Sequence, residues 1–169
     1  MNGGLIEACR NIHTVKGLVK LLESVVDSNA KDEQGNTGLM AAVMHGSNVM
    51  VFDTLIQFGA DVNAVNNDKR NALHLAFEEI AVTKGNHLDK IKVAKLLLEH
   101  RCDVNCCDIN GKTPFFVFCG LFGNDQVELM KALLSDYKAK LAIRTNDGET
   151  PFINACANFC DVEILQILF

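Results

Sequence analysis

The chain has 169 residues, of which 49% are hydrophobic and 22% are charged, with a formal net charge of -5 at pH 7. These proportions are typical of a folded globular protein and exclude an intrinsically disordered chain. The sequence has no run of about 20 apolar residues that could span a bilayer, and its 16 basic and 21 acidic residues form no basic cluster that would favour nucleic acid as a ligand.

The first 31 residues predict two short helices, because apolar residues recur with helical spacing in residues 5–9 and 15–23. This pair lacks the Thr-Pro opening of later segments, so we expect residues 1–31 to form a degenerate N-terminal capping unit. No cationic segment precedes an apolar one, as a secretory signal would require. Together with an odd number of seven cysteines, this favours reduced thiols and a cytoplasmic or nuclear location.

Four similar segments follow the capping unit. The equivalent residues Thr37, Asn71, Thr113 and Thr150 are 34, 42 and 37 residues apart. A second shared block reads Gly-Ala-Asp-Val-Asn-Ala at residues 59–64 and Arg-Cys-Asp-Val-Asn-Cys at residues 101–106. Two matching blocks in each period indicate a tandem repeat. We expect the repeats to span residues 32–65, 66–107, 108–144 and 145–169, the last being incomplete or uncapped.

Each repeat predicts two helices and a turn. Thr before Pro, as in Thr113-Pro114, favours a helix start, since the hydroxyl caps an N–H group and Pro has no N–H to leave unpaired. The second helices are predicted from apolar residues at helical spacing in residues 49–56, 93–98, 127–134 and 162–168. Gly59, just after the second helix, suits a left-handed cap. Arg101 and Lys138 occupy the equivalent position in later repeats, where a non-glycine residue costs about 1 kcal/mol of conformational free energy.

The spacing of 42 implies nine additional residues in the second full repeat. Alignment places them between its two helices, with residues 83–87 as the predicted loop. Insertions in repeat proteins map to loops on one face and are often used for binding. A neutral surface insertion is the alternative, because lengthening a loop costs little free energy.

The repeat resembles the ankyrin repeat, a unit of about 33 residues with a Thr-Pro-Leu-His-x-Ala opening. Thr113-Pro114 and Thr150-Pro151 keep its start, residues 73–76 read Leu-His-Leu-Ala, and residues 96–99 read Leu-Leu-Leu-Glu. The resemblance implies an all-α solenoid of stacked antiparallel helix pairs joined by β-hairpin turns. It also implies that the imidazole of His74 ties adjacent turns together by hydrogen bonds.

No constellation of residues predicts catalysis, a metal or a cofactor. The cysteine spacings do not match zinc motifs, the glycines form no phosphate-binding loop, and the histidines are scattered over different repeats. The adjacent Glu78 and Glu79 are interpreted as a solvated acidic edge, since neighbouring residues point about 100° apart on a helix. We therefore expect a protein that is not an enzyme.

The resemblance implies a non-catalytic module that binds a protein partner on its concave face and hairpin tips, as an adaptor, scaffold or inhibitor. The candidate partner-binding residues follow from their positions in the repeats: Gln34, Asn36, Met44, His45, Asn67, Lys69, Arg70, Glu78, Glu79, Asn110, Lys112, Val117, Leu121, Asp147, Asn154 and Asn158. Asn63 and Asn105 look like the asparagines that a hydroxylase modifies in other ankyrin arrays. Their role in the turn is the alternative.

Residues 115–122 are apolar on every side. We expect Phe115 and Cys119 to face the core, whereas Phe116, Val117, Leu121 or Phe122 could form an exposed patch or fill a larger core.

Two further functions remain open at this stage. The chain could be a regulatory or substrate-recruiting segment of a larger enzyme, such as a ubiquitin-ligase adaptor or a kinase. A small-molecule site would need an aromatic and a cation on the concave face, and Phe116 with Lys69 or Arg70 is a weak candidate. The apolar C-terminal helix predicts self-association or further repeats at that face. A frayed and partly exposed last helix is the alternative.

Overall fold

The computed structural model describes residues 3–11, 15–24, 27–46, 48–82, 87–121, 127–158 and 166–168. Nine named helices lie within these ranges: α1 (Gly3–Asn11), α2 (Val15–Glu23), α3 (Gly38–Met44), α4 (Val49–Gln57), α5 (Ala72–Val82), α6 (His87–Glu99), α7 (Pro114–Cys119), α8 (Val127–Ser135) and α9 (Pro151–Ala157). Residues 166–168 add one further helical segment. The helix pair predicted for the N-terminal unit is therefore present as α1 and α2.

The first helix of each full repeat begins with the same side-chain cap. The hydroxyls of Thr37, Thr113 and Thr150 accept a hydrogen bond from the backbone N–H group three residues later. In the second repeat the Asn71 side chain takes this role and accepts from the N–H group of His74 at 3.1 Å. An extended residue with a short polar side chain satisfies one of the unpaired donors at a helix start.

A tight hairpin precedes each of these helices. In the first hairpin Asp32 and Asn36 pair through a backbone hydrogen bond of 3.0 Å, and one carboxylate oxygen of Asp32 accepts from the N–H groups of Gln34 and Asn36. Asn66 and Asp108 hold the next two hairpins in the same way. The side chain supplies the hydrogen bonds that so short a turn cannot make within its backbone.

The helices stack in two layers. The first helices α1, α3, α5, α7 and α9 contact one another in that order, and α2, α4 and α6 form a second layer. One hydrophobic core runs from Leu5 to Leu168 between the layers. Because each helix pair buries its apolar face against its neighbours, the units are stable only in the stack. The predicted all-α solenoid of stacked helix pairs is confirmed.

Three non-glycine residues in the described part of the chain adopt left-handed backbone conformations. Arg101 and Lys138 have φ values of 64° and 56°, as their alignment with Gly59 at 84° predicts. Lys69 has a φ of 59° in the hairpin position that Gly35 and other glycines occupy, which the sequence comparison did not identify. A side chain in this region costs about 1–2 kcal/mol, so the second hairpin is strained relative to the first.

The additional residues of the second repeat lengthen its helices. Helix α5 has 11 residues and α6 has 13, against 7 in α3 and 9 in α4. The predicted loop at residues 83–87 is wrong at its end, because His87 begins α6. Residues 83–86 lie outside the described residues. Added residues that extend a helix form backbone hydrogen bonds within it, so fewer of their peptide groups must bond to water.

Of the two alternatives for residues 115–122, an exposed patch or a larger core, the structure supports the larger core at Phe116 and Leu121. Phe116 and Leu121 are both buried, each with 4% of its surface exposed, whereas Val117 is partly buried. Phe118 packs against Phe77 of α5 with ring centroids 4.9 Å apart. An all-apolar helix fills a larger core here, because neighbouring first helices cover both of its sides. Phe122 lies outside the described residues.

Candidate protein-interaction surface

The hairpin tips form a continuous row linked by backbone hydrogen bonds. The N–H group of Asn67 donates to the carbonyl of Gln34 at 3.0 Å, and the N–H group of Asn146 donates to the carbonyl of Asn110 at 2.9 Å. Ile109 makes the intermediate link to Asp68 at 2.9 Å. Each tip is thereby held at a set position relative to the next one. The row presents polar side chains from four repeats along one edge of the first-helix layer.

The sequence-predicted partner residues differ in accessibility. Six of them are exposed: Gln34, His45, Asn67, Lys69, Asn110 and Asp147. Eight are partly buried: Met44, Arg70, Glu78, Glu79, Lys112, Val117, Asn154 and Asn158. Asn36 and Leu121 are buried, so neither offers a surface to a partner. Asn36 accepts a hydrogen bond from the Asn66 side chain at 3.0 Å and thereby joins two hairpins.

Arg70 connects its own hairpin to the following helix and to the next hairpin. Its guanidinium lies 3.1 Å from the Glu78 carboxylate on α5 and 3.5 Å from the carboxylate of Asp108. Burial raises the pKa of Glu78 above its ordinary value, an effect that the nearby Arg70 charge opposes. The network orients three charged groups at the junction of two repeats. Asp108 was not among the sequence-predicted residues, and only its alignment with Asp32 indicates its structural role.

The two glutamates of α5 act separately. Both lie within α5 and are partly buried, so they are less solvated than the predicted acidic edge. Glu78 faces Arg70, and Glu79 pairs with Lys90 of α6 at 2.9 Å. Each carboxylate therefore makes its own ion pair, Glu78 with the hairpin and Glu79 with α6.

His74 joins the second and third full repeats, as the resemblance implies. Its Nε2 atom lies 3.0 Å from the carbonyl of Lys112, and Nδ1 lies 3.2 Å from the backbone nitrogen of Asn71. Burial lowers the pKa of His74, which keeps the imidazole neutral. With the proton on Nε2, Nε2–H donates to the Lys112 carbonyl and Nδ1 accepts from the backbone N–H group of Asn71. Nδ1 also lies 2.8 Å from Oδ1 of Asn71, to which it would donate only in the other tautomer.

The cation beside Phe116 belongs to Lys112. The Lys112 ammonium lies 5.6 Å from the centroid of the Phe116 ring, within the range of a cation–π contact. The sequence interpretation assigned this position to Lys69 or Arg70. Because Phe116 is buried, the contact packs the hairpin onto α7 and leaves no aromatic face for a small molecule.

Asn154 and Asn158 make structural hydrogen bonds on α9. The Asn154 amide donates to the carbonyl of Phe116 at 2.8 Å, and the Asn158 amide donates to the Asn154 side chain at 2.9 Å. Gly120 leaves the space for this contact, because a Cβ atom there would lie 2.8 Å from the Asn154 amide nitrogen. These asparagines connect α9 to α7 through their side-chain amides.

A row of asparagines links the turns that follow the second helices. Asn63 donates to the carbonyl of Arg101 at 3.2 Å and accepts from the N–H group of Asp103 at 2.7 Å. Asn105 makes the same pair of bonds to Lys138 and Lys140. Asn29 bridges to Gly59 and Asp61 in the same way, which the sequence interpretation missed. Its signal was the spacing of Asp27 and Asn29, identical to that of Asp61 and Asn63.

Cys9 and Cys102 are among the buried thiols of the described residues, and one open groove lies away from the predicted partner residues. Burial raises the pKa values of Cys9 and Cys102 to about 12, which keeps both thiols protonated and weakly nucleophilic. No group of three or more His, Cys, Asp or Glu side chains that could hold a metal ion occurs within the described ranges. An open polar groove of about 660 Å³ lies beside the ends of α6 and α8, and its lining includes Glu99, Asp103, Asp136 and Tyr137. None of the predicted partner residues lines it.

Comparison with known proteins gives a family and several partial relatives. The profile of a family described as ankyrin repeats in three copies matches residues 5–87 and 79–169. The potassium channel AKT1 of Oryza sativa, in both the indica and japonica subspecies, is 35% identical over 97 residues, which are 57% of this chain and 9% of the channel. Protein glp-1 of Caenorhabditis elegans is 33% identical over 118 residues, which are 69% of this chain and 8% of that protein.

The chain thus spans less than a tenth of the length of these relatives. Among the described residues, no helix is both long and apolar enough to cross a membrane.

Proposed function

This chain belongs to the ankyrin repeat family, and from that premise we propose that it is a non-catalytic module that binds a protein partner along its hairpin tips and first helices. Ankyrin repeats are generally protein–protein interaction modules. The chain would act as an adaptor, scaffold or inhibitor, which binds its partner without catalysing a reaction on it. The observation that carries the proposal is the linked row of hairpins with exposed side chains from four repeats.

The chemistry of the row supports a protein partner. Gln34, Asn67, Lys69, Asn110 and Asp147 are exposed and offer donors, acceptors and both signs of charge. The backbone beneath them is already hydrogen-bonded, so binding needs to order only side chains. A preorganised surface loses less conformational entropy on association than a mobile loop does. The inner face of a repeat solenoid extends this surface over several units.

A charge-exchange variant tests the proposal. Lys69→Glu combined with Asp147→Lys reverses two exposed charges in the row and leaves the net charge unchanged. Lys16→Glu combined with Glu23→Lys makes the matched exchange on α2, in the other layer. Wild-type and variant proteins are used to capture binding proteins from the cells of origin, and the captured proteins are quantified by mass spectrometry.

We expect the hairpin variant to lose proteins that the wild type and the α2 variant both retain. Thermal unfolding of all three chains checks that the exchanges leave the fold intact. If both exchanges change the captured proteins equally, or if neither does, the hairpin row is not the binding surface.

A second candidate is a regulatory or substrate-recruiting segment of a larger protein, such as a kinase or a ubiquitin ligase. It is favoured by the small share, 8–9%, of each relative that the chain matches. An antibody raised against the 169 residues tests it on extracts of the source cells. A single band of the size of 169 residues contradicts this candidate, and a much larger band supports it.

Asparagine modification at Asn63 and Asn105 and a cytoplasmic or nuclear location remain parts of the proposal. Asn63 is exposed and Asn105 is partly buried, yet both side-chain amides hold the next repeat. Mass spectrometry of tryptic peptides from the native protein tests the modification, because one added oxygen on either asparagine would be detected directly.

A further inference from the structure

The last repeat exposes an apolar residue at a position that the earlier repeats bury. Met40, His74, Phe116 and Ile153 are equivalent, because each donates its backbone N–H group to the side chain that caps its helix. The first three are 1%, 0% and 4% exposed, whereas Ile153 is 45% exposed. In the second repeat the hairpin of the following unit covers this position, since His74 bonds the carbonyl of Lys112.

A second position shows the same difference. Val62, Val104 and Leu141 each lie three residues after a residue in the left-handed conformation, namely Gly59, Arg101 and Lys138. Val62 and Val104 are 9% and 3% exposed, but Leu141 is 38% exposed. The C-terminal end of the stack therefore carries two exposed apolar side chains, Leu141 and Ile153, whose counterparts are buried in its interior. Covering both would remove apolar surface from water, which favours stacking.

The hairpin row also ends with an open acceptor. Each hairpin donates one backbone N–H group to the tip carbonyl of the preceding hairpin, at Gln34, Asp68 and Asn110 in turn. The equivalent carbonyl of the last hairpin belongs to Asp147, and no hydrogen bond to it occurs among the described residues. The space beside this hairpin is open as well. A Cβ atom on Gly35 or Gly111 would meet the next hairpin within 3.0 Å, whereas one on Gly148 would meet nothing within 4 Å.

We propose that the C-terminal face formed by Leu141, Asp147, Gly148 and Ile153 receives one further hairpin and helix pair of the ankyrin type, stacked in the same direction as the preceding units. The added hairpin donates a backbone N–H group to the Asp147 carbonyl, and its first helix covers Ile153. The inference rests on the stacking geometry and is independent of partner binding on the hairpin side chains.

The direction of the row favours an added repeat over a second copy of this chain. If two copies met face to face with the two-fold axis beside the last hairpin, the Asp147 carbonyl would face its own copy, an acceptor against an acceptor. In a head-to-tail pair the incoming face is made by α1 and α2, and the described part of that unit has no hairpin ahead of α1. Its exposed side chains are mostly polar, including Glu7, Lys16 and Lys20. Neither arrangement supplies both a donor for the Asp147 carbonyl and an apolar surface that covers Leu141 and Ile153.

One link of the array is missing at this face. Ala142 takes the place of Asn63 and Asn105, whose amides bridge each turn to the next. The added unit is held by the hairpin bond and by apolar contact alone. Replacement of Ala142 by Asn is expected to strengthen its attachment.

The experiment compares the chain of 169 residues with the same chain extended after Phe169 by one ankyrin repeat that has a polar outer face. Amide hydrogen exchange of α9 reports the stability of the last unit. We expect at least about tenfold greater protection in the extended chain, because the added repeat supplies the missing nearest-neighbour contact. Ile153→Asp should abolish this gain, and Ala142→Asn should increase it further.

Met50→Asp is the matched control, since Met50 is 59% exposed on α4 and far along the chain from the last repeat. It should leave the gain unchanged. The proposal is overturned if the extension gives α9 no added protection, or if Met50→Asp removes the gain as fully as Ile153→Asp does. It is also overturned if light scattering shows that the unextended chain is a dimer that Ile153→Asp converts to a monomer, because a second copy is then the occupant.

Discussion

At the scale of single residues, His74 and Lys69 show how side chains set the junctions between repeats. The neutral imidazole joins the cap of α5 to the hairpin of the next unit. Lys69 occupies a left-handed position without the freedom of glycine, and its repeat keeps that strain because both neighbouring hairpins hold it. The second full repeat thus carries both the buried His74 hydrogen bond and the strained Lys69 turn at its hairpin end.

The stability of the protein should fall on acidification because of His74. Burial lowers its pKa below the ordinary value of 6.5, so the unfolded chain binds a proton in a range where the folded chain does not. Stability then rises with pH through this range and is lost as the pH falls below about 6.5. Urea unfolding at about pH 7.5 and about pH 5.5 measures the loss.

The His74→Gln variant is the control, because it removes the titrating group and keeps a side-chain donor. Its loss of stability between the two pH values should be smaller than that of the wild type. An equal loss in both proteins would show that another group is responsible.

At the scale of elements, the turns after the second helices are joined by the asparagine row. Each asparagine amide donates to one carbonyl and accepts from one N–H group of the next turn. These two hydrogen bonds together fix the orientation of that turn. Backbone groups that would otherwise depend on water are thereby paired between repeats.

Asn105→Ala should destabilise the protein by about 1–2 kcal/mol, since two hydrogen bonds to the following repeat, at Lys138 and Lys140, are lost. Asn110→Ala is the matched control, because its backbone makes the contact between hairpins; its effect should stay within about 0.5 kcal/mol. Urea unfolding of the two variants at neutral pH makes the comparison. Equal effects would mean that the Asn105 amide contributes nothing specific.

At the scale of the whole molecule, stability depends on contacts between neighbouring units. Phe77 and Phe118 join α5 to α7 across the middle of the stack, and both rings are fully buried. In a solenoid the interface energies between nearest neighbours hold the array in one cooperative unit. Loss of one central interface should therefore separate the unfolding of the two halves.

Phe118→Ala should cost about 3–5 kcal/mol through lost burial and the cavity that remains. We expect residues 127–158 to lose amide protection at lower urea concentration than residues 27–82. Phe58→Ala, at a more exposed phenylalanine, should cost far less and leave one transition. Simultaneous loss of protection in both halves of Phe118→Ala would contradict nearest-neighbour coupling at this interface.

The sequence alone determined the repeat, its helix pairs and their left-handed caps at Arg101 and Lys138. These features follow from local chemistry, because helical spacing, Thr-Pro starts and cap positions depend on a few consecutive residues. The role of His74 was also predictable, since its place in the opening motif carries a family-wide contact. The burial of Phe116 and Leu121, the helical ends of the insertion and the bond from Arg70 to Asp108 were decided only by the tertiary structure. Each depends on which distant segment lies against the residue, and a repeat pattern does not specify how neighbouring units with different side chains fill their shared space.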